Sequence, residues 1–339
     1  LSYILDIGIA VPKHAITQEE FSGIYSSMTE DADVQRKIKF LTARSAINKR
    51  NCVDPDIKKL VAMSLEEKLA TYHSSALELA IEAIKTNPAF DNNKDQITDI
   101  IFISCTGMQA PGVEIDLINH FQLPTNIKRY NVNFMGCYAA LTGLRMAKDI
   151  CTTPNRTVLM VSVELCTLHF QNKFIDDYLL SNSIFADGAA SAIVSSNNKG
   201  ARLKLEDFES RLIPNSKNEM SWKISSDGFL MTLSSDVPKS IKTSLDETSL
   251  FDKTPSSTGW AIHPGGKQIV DSIKSTLHLD ESEVSASRKV LLENGNMSSA
   301  TILFVLKEML ANRPSNKPEF IACAFGPGLT LEAALLSYV

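Results

Sequence analysis

Short apolar, β-branched runs alternate along this chain with segments in which apolar residues recur three and four positions apart. The first pattern belongs to strands buried on both faces, the second to helices with one apolar side. Residues 98–104, 157–163, 190–194 and 320–325 predict strands, and residues 74–85, 137–151, 266–277 and 298–310 predict helices. At Thr17 the order Thr-Gln-Glu-Glu is a capping-box start. Alternation of this kind predicts an α/β protein with a largely buried sheet. The polar stretch 195–200 (Ser-Ser-Asn-Asn-Lys-Gly) has comparable strand-turn-helix units on either side. Two similar halves are therefore expected, 1–197 and 198–339. No short-period repeat or low-complexity tract is visible, which sets aside solenoid and disordered readings.

Composition agrees with a globular chain: 339 residues, 44% hydrophobic and 22% charged, with a formal charge of -5. Without a long Lys/Arg block, nucleic acid is not an expected partner. The start, Leu-Ser-Tyr-Ile-Leu-Asp, has no basic region ahead of an apolar run, so no secretory leader is expected. Beginning on Leu1 suggests a trimmed or processed start. No stretch approaches the ~18 apolar residues of a membrane span. The six cysteines (Cys52, Cys105, Cys137, Cys151, Cys166, Cys323) are scattered, with no paired spacing of the zinc-site kind. They read as reduced thiols of a cytosolic protein, with no metal expected.

Three positions carry candidate chemistry. Tyr130, Val132 and Phe134 alternate with Asn131 and Asn133 before Gly136-Cys137, and an apolar helix follows. A thiol at a helix start faces unpaired N–H groups and the positive end of the macrodipole, which favour its thiolate. His263 ends the apolar run Trp-Ala-Ile and turns through Pro-Gly-Gly into a helix. Asn296 lies in an Asn-Gly-Asn turn before another helix and can present an amide donor. Each position has an ordinary structural explanation alone: a small buried thiol, a packing histidine, a common turn. Together they fit nucleophile, acid/base partner and oxyanion donor, a set that a cysteine protease also uses.

The flanking segments decide between these. Phe-Met-Gly-Cys at 134–137, Ile-His-Pro-Gly-Gly at 262–266, Gly-Asn-Met-Ser-Ser-Ala at 295–300 and Phe-Gly-Pro-Gly-Leu-Thr at 325–330 together resemble the signature segments of the type III polyketide synthases, the chalcone and stilbene synthase-like family. They occur in family order, and the resemblance covers essentially the whole chain. It implies the thiolase-like αβαβα fold, a homodimer, and Cys137, His263 and Asn296 as the catalytic triad. It further implies an acyl-CoA starter and malonyl-CoA as substrates, with no cofactor beyond CoA thioesters. Phe185 matches the family's gatekeeper phenylalanine, and Ser298 belongs to the substrate-binding positions.

Other positions depart from the plant pattern. Met231 stands where a second gatekeeper phenylalanine is usual, and Trp222 aligns approximately with a small cavity glycine. Cys166 and His169 stand for threonines, and Ala324 for a loop glycine. These changes are nearer to bacterial members and leave the starter, chain length and ring closure open. At the CoA entrance Lys37 and Arg44 align with family cations, while a usual arginine falls on Phe40, beside Lys39. Within the same fold, a β-ketoacyl-acyl-carrier-protein synthase III and, less well, a hydroxymethylglutaryl-CoA synthase remain alternatives. From another class, a non-catalytic thiolase-fold partner subunit is the alternative.

Overall fold

The computed structural model describes residues 1–234, 236–245, 248–252, 258–313 and 316–339. Its strands, in chain order, are β1 (Tyr3–Ala10), β2 (His14–Thr17), β3 (Lys49–Cys52), β4 (Asp99–Ser104), β5 (Lys128–Asn133), β6 (Thr157–Leu165), β7 (Asp187–Ser195), β8 (Leu203–Leu212), β9 (Met220–Ser225), β10 (Gly228–Leu233), β11 (Gly259–Ile262), β12 (Glu319–Gly326) and β13 (Thr330–Tyr338). Nine of them form one sheet in the order β11-β12-β13-β8-β1-β7-β6-β4-β5. The pairing repeats itself. On one side β4 runs parallel to β6, then β7 and β1 follow antiparallel. On the other, β11 runs parallel to β12, then β13 and β8 follow antiparallel. The two sets meet where Tyr3 and Ile4 pair with Lys204 and Leu203.

Helices cover both faces of each set. The helix Ala139–Ile150 packs on β4, β5, β6 and β7 of the first set and on β12 and β13 of the second. Its counterpart Thr301–Ala311 packs on β11 and β12 and also on β1 and β7. These two helices make a central layer between the strand sets, and their apolar residues share one core with Ile101, Met160, Ala192 and Ala322. Outside lie Leu65–Lys85, against β1, β6 and β7, and Lys267–Thr276, whose Val270 and Ile273 meet Ile262 and Ile321. The result is five alternating layers of helix and sheet. Every residue of β6 and β7 is buried, as strands covered on both faces must be.

The expected elements all form, with shifted ends. The capping box at Thr17 is present, and a second at Ser64 and Glu67 starts the long helix earlier, at Leu65 rather than near 74. Each such cap stabilises its helix by about 1 kcal/mol.

Candidate active site

After β5 the chain reverses sharply. Phe134 and Gly136 adopt positive φ, 59° and 90°, and the helix begins at Ala139, two positions beyond Cys137. A Cβ on Gly136 would come within 2.3 Å of Pro327, so this position needs glycine for space as well as for its backbone. The Gly326-Pro327 loop thus packs directly on the cysteine turn. The Gly136 N–H donates to Cys105 Sγ at 3.0 Å, tying the turn to the end of β4.

His263 follows β11 directly. Its N–H donates to the Cys323 carbonyl at 2.8 Å, and its own carbonyl accepts from Gly265 N–H at 2.9 Å, closing the turn into the next helix. Asn296 is held by its backbone against the Phe185 segment: its N–H donates to Ile184 O and its carbonyl accepts from Ala186 N–H, both at 2.9 Å. The Asn296 side chain is oriented from both ends. Its Oδ1 accepts from Ser298 N–H at 2.9 Å, while Nδ2 donates to the Gly265 carbonyl at 3.1 Å. An amide carries a second N–H, and the Asn296 side chain acts on Cys137 in the direction that favours its thiolate. Ser298, a non-glycine residue at φ 46°, places its Oγ 3.7 Å from Cys137 Sγ. Left-handed backbone in a serine is strained, and such strain concentrates at working sites.

Burial dominates the electrostatics. It pushes the Cys137 thiol up to about 12, against hydrogen bonds from Ser298 and Asn296 that favour the thiolate, while the nearby Glu164 charge adds to the rise. Burial also pushes His263 down to about 3. Both His263 ring nitrogens lack a hydrogen-bond partner among the described residues. At these values the Cys137 thiol and the His263 imidazole are both neutral. This differs from the thiolate expected at a helix start, and magnitudes explain it. A helix terminus is worth about 0.3–1 kcal/mol, whereas a net rise from 9.0 to about 12, led by burial, corresponds to roughly 4 kcal/mol against the thiolate.

Cys137, Cys166, Phe185 and Met231 share one buried apolar cluster, with Trp222 packed on it. Met231 and Trp222 face each other across the β9–β10 hairpin. The Trp222 ring lies edge-on to His169 and Phe229, and its Nε1 donates to the Cys105 carbonyl at 2.6 Å. His169 stacks on Phe229 with centroids 4.1 Å apart. Phe185 is held by Arg50, whose Nη1 donates to the carbonyls of Asn182 and Phe185, both at 2.7 Å.

Glu164 was missed by the sequence reading. It is fully buried at the end of β6 and accepts from Cys105 N–H (2.9 Å), Thr106 Oγ1 (2.8 Å) and Ser299 Oγ. Burial raises its pKa, and those hydrogen bonds oppose the rise. A lone carboxylate closing an apolar run was the available signal, since such a group must find partners inside.

A cleft of about 230 Å³ lies beside these residues, lined by Phe40, Arg44, Ile184, Gly265, Gly266 and Lys267 among others. Gly265 is the residue whose carbonyl accepts from Asn296, so the cleft adjoins the Asn296 amide. Arg44 stacks over the exposed Phe40 ring at 4.3 Å. Lys37, on the same helix, is paired with Asp176 at the surface. Among the described residues, no group of three or more His, Cys, Asp or Glu is placed to hold a metal ion, and no helix is long and apolar enough to cross a membrane.

A layered fold with a cysteine at the turn into one central helix, and an asparagine at the turn into the other, is that of the thiolase-like enzymes. Residues 1–198 match the family described as chalcone and stilbene synthases, N-terminal domain, and residues 204–339 match its C-terminal domain. The chain belongs to this family, the type III polyketide synthases, acyltransferases that use CoA thioesters. It is 30% identical to a polyketide synthase of Dictyostelium discoideum, all of this chain matching 11% of that protein's length. It is 29% identical to a chalcone synthase-like protein of Bacillus subtilis (strain 168), over 100% of this chain and 99% of the other. Among solved structures, it resembles the C-terminal type III polyketide synthase domain of Steely1, a type I/III hybrid from Dictyostelium, with TM-score 0.95, 29% identity and 100% and 99% coverage. A type III pentaketide synthase from Neurospora crassa gives TM-score 0.90 at 25% identity, each chain fully covered. The family match sets aside the ketoacyl synthase III and hydroxymethylglutaryl-CoA synthase alternatives.

Proposed function

We propose that this chain condenses a CoA-linked starter with malonyl-CoA units by decarboxylative Claisen condensation on Cys137. The observation that carries the reading is the Asn296 amide, anchored on Ser298 N–H and the Gly265 carbonyl while Ser298 Oγ meets Cys137 Sγ, beside a His263 whose ring nitrogens have no partner among the described residues. His263 takes the thiol proton as Cys137 attacks the starter carbonyl, and returns it to the departing CoA sulfur. Malonyl-CoA then loses CO2. The enolate oxygen is stabilised by His263 N–H and the Asn296 amide, and the enolate carbon attacks the Cys137 thioester. The bond to sulfur breaks, leaving the chain two carbons longer on CoA.

On this reading Phe185, Cys166, His169, Trp222, Met231 and Ser298 line the reaction cavity. Arg44 and Lys267, with Lys37 nearby, receive the CoA phosphates at the cleft. The halves 1–197 and 198–339 each supply part of the triad, and the enzyme works as a cytoplasmic homodimer. The repeated strand pairing supports two halves, and the open edge at β5 offers a surface for a second copy.

The test is intact-protein mass after exposure to acyl-CoA starters, with product masses on adding malonyl-CoA. Wild type should gain one acyl group and release polyketides. Cys137→Ala should gain none and make no polyketide, yet still convert malonyl-CoA to acetyl-CoA, because decarboxylation needs the oxyanion donors and not the sulfur. A covalent acyl group on Cys137→Ala would sink the assignment. Absence of CO2 release from wild type would favour a non-catalytic partner subunit.

A further inference from the structure

The hairpin carrying Trp222 and Met231 is a two-stranded sheet of its own, β9 with β10. An isolated hairpin is marginal in water, so its position is decided by what grips it from outside. Its tip is gripped closely. Gly228 takes φ 125°, a conformation for glycine. Next to it, the Phe229 N–H donates to His169 Nδ1 at 3.1 Å. The Asp227 carboxylate pairs with Lys173 at 3.0 Å, but both side chains are more than half exposed and such a pair is worth little.

Lys68 is a different kind of contact. It lies in the first turn of the helix Leu65–Lys85, where the Ser64 capping box fixes the backbone, and its side chain is 1% exposed. Nζ donates to the Asp227 carbonyl at 2.7 Å. A Cβ added to Gly228 would lie 3.1 Å from Nζ and 3.3 Å from His169 Nδ1, so the tip is moulded around these two groups. Lysines usually bury the stem and keep the ammonium in water. Here the charge itself is withdrawn, at a desolvation cost that a structural surface lysine does not incur.

We propose that Lys68 is a positioning residue for product length: by holding the Asp227 carbonyl it fixes the β9–β10 hairpin against His169, and so sets how deeply Trp222 and Met231 reach into the reaction cavity. This rests on the reading of those side chains as the cavity wall. Without the ammonium, the carbonyl loses its donor and the tip can withdraw, which enlarges the space open to a growing chain.

The experiment compares Lys68→Met, Lys68→Gln and Lys68→Arg in the full chain. One measurement is the mass distribution of products from acyl-CoA starters with malonyl-CoA. The other is Trp222 emission in a Trp260→Phe background, Trp260 being the second of two tryptophans. Lys68→Met should shift the ratio of longer to shorter products by about tenfold, the scale of one lost charge-assisted hydrogen bond. It should also move Trp222 emission toward that of a more exposed ring. Lys68→Arg should return both toward wild type. If Lys68→Met does not fold, Lys68→Gln, which keeps a neutral donor, is expected to show a smaller shift of the same sign. A neutral variant that folds and keeps both the product ratio and the emission overturns the inference, as does a uniform loss of all products with unchanged emission. The emission does not depend on turnover. A wild type that makes no polyketide would therefore count against the proposed function alone, while the emission still decides the hairpin's anchor.

Discussion

On the reading proposed above, two walls flank Cys137 and each contains a buried histidine; the two rings are in opposite situations. His169 is saturated. Its Nδ1 accepts from Phe229 N–H, so Nε2 carries the proton and donates to the Thr106 carbonyl at 2.7 Å. His263 has neither ring nitrogen bonded among the described residues. Burial pushes both down to about 3, so both are neutral at physiological pH. Equal burial and equal charge state therefore accompany unequal satisfaction. A buried polar group left unpaired costs about 1–3 kcal/mol, and the cost is tolerated where a reactant can complete the bonding. The His169 wall is finished and can define a shape. The His263 wall is incomplete and can do chemistry.

The largest effect expected from this contrast is that of His263→Gln, which should slow product formation by about 10²–10⁴ as general acid–base catalysis is lost. His169→Gln should cost less than about tenfold, with an altered product distribution. Comparison of kcat/KM for the two variants checks this, and equal losses would erase the distinction between the walls. Next, Asn296→Ala removes a donor from the enolate oxygen and should lower malonyl-CoA decarboxylation by about 10²–10³. Cys137 should still accept an acyl group, because its sulfur and His263 remain. Normal decarboxylation in this variant would remove Asn296 from the reactive wall.

Trp222→Gly empties the ring position beside the stacked His169 and Phe229 rings and deletes the bond to the Cys105 carbonyl. Longer products or larger starters should appear in the mass spectrum, with rates within about tenfold of wild type. An unchanged profile would take Trp222 out of the size-setting wall.

The smallest effect concerns pH. Unfolded histidine titrates near 6.5, while both folded rings are held to about 3. Their stabilisation is complete above the unfolded value and is lost as pH falls from about 6.5 toward 3, by roughly 1.4 kcal/mol per unit for each ring. Asp187, raised to about 7 by burial, acts in the opposite direction but is common to both proteins. Urea titrations between pH 6 and 4 should therefore give a slope against pH about 1.4 kcal/mol per unit shallower for His169→Gln than for wild type. Identical slopes would mean that His169 is not held neutral.

Much of this molecule is legible in its sequence. Unbroken apolar runs identify β4, β6, β7 and β12, because a strand covered on both faces has no polar side to show. The turns at Gly136-Cys137 and Asn294-Gly295-Asn296 announce themselves because Gly136 and Gly295 supply positive φ, and that at His263-Pro264-Gly265 through its Pro-Gly pair of turn formers. Everything that depends on distant segments stays hidden. The early start at Leu65 is obscured by a polar first turn, in which Lys68 reads as a surface residue. Its partner lies at Asp227, 159 positions away. Glu164 gains its partners from Cys105, Thr106 and Ser299, on two other segments. The thiolate expected at Cys137 is opposed for the same reason, since burial pushes the thiol up. The sequence by itself determined the local shapes and the reactive groups, since these follow from backbone freedom and side-chain chemistry. Which groups are desolvated, and which find partners, was decided by the tertiary structure, because solvation is set by whatever the rest of the chain packs on top.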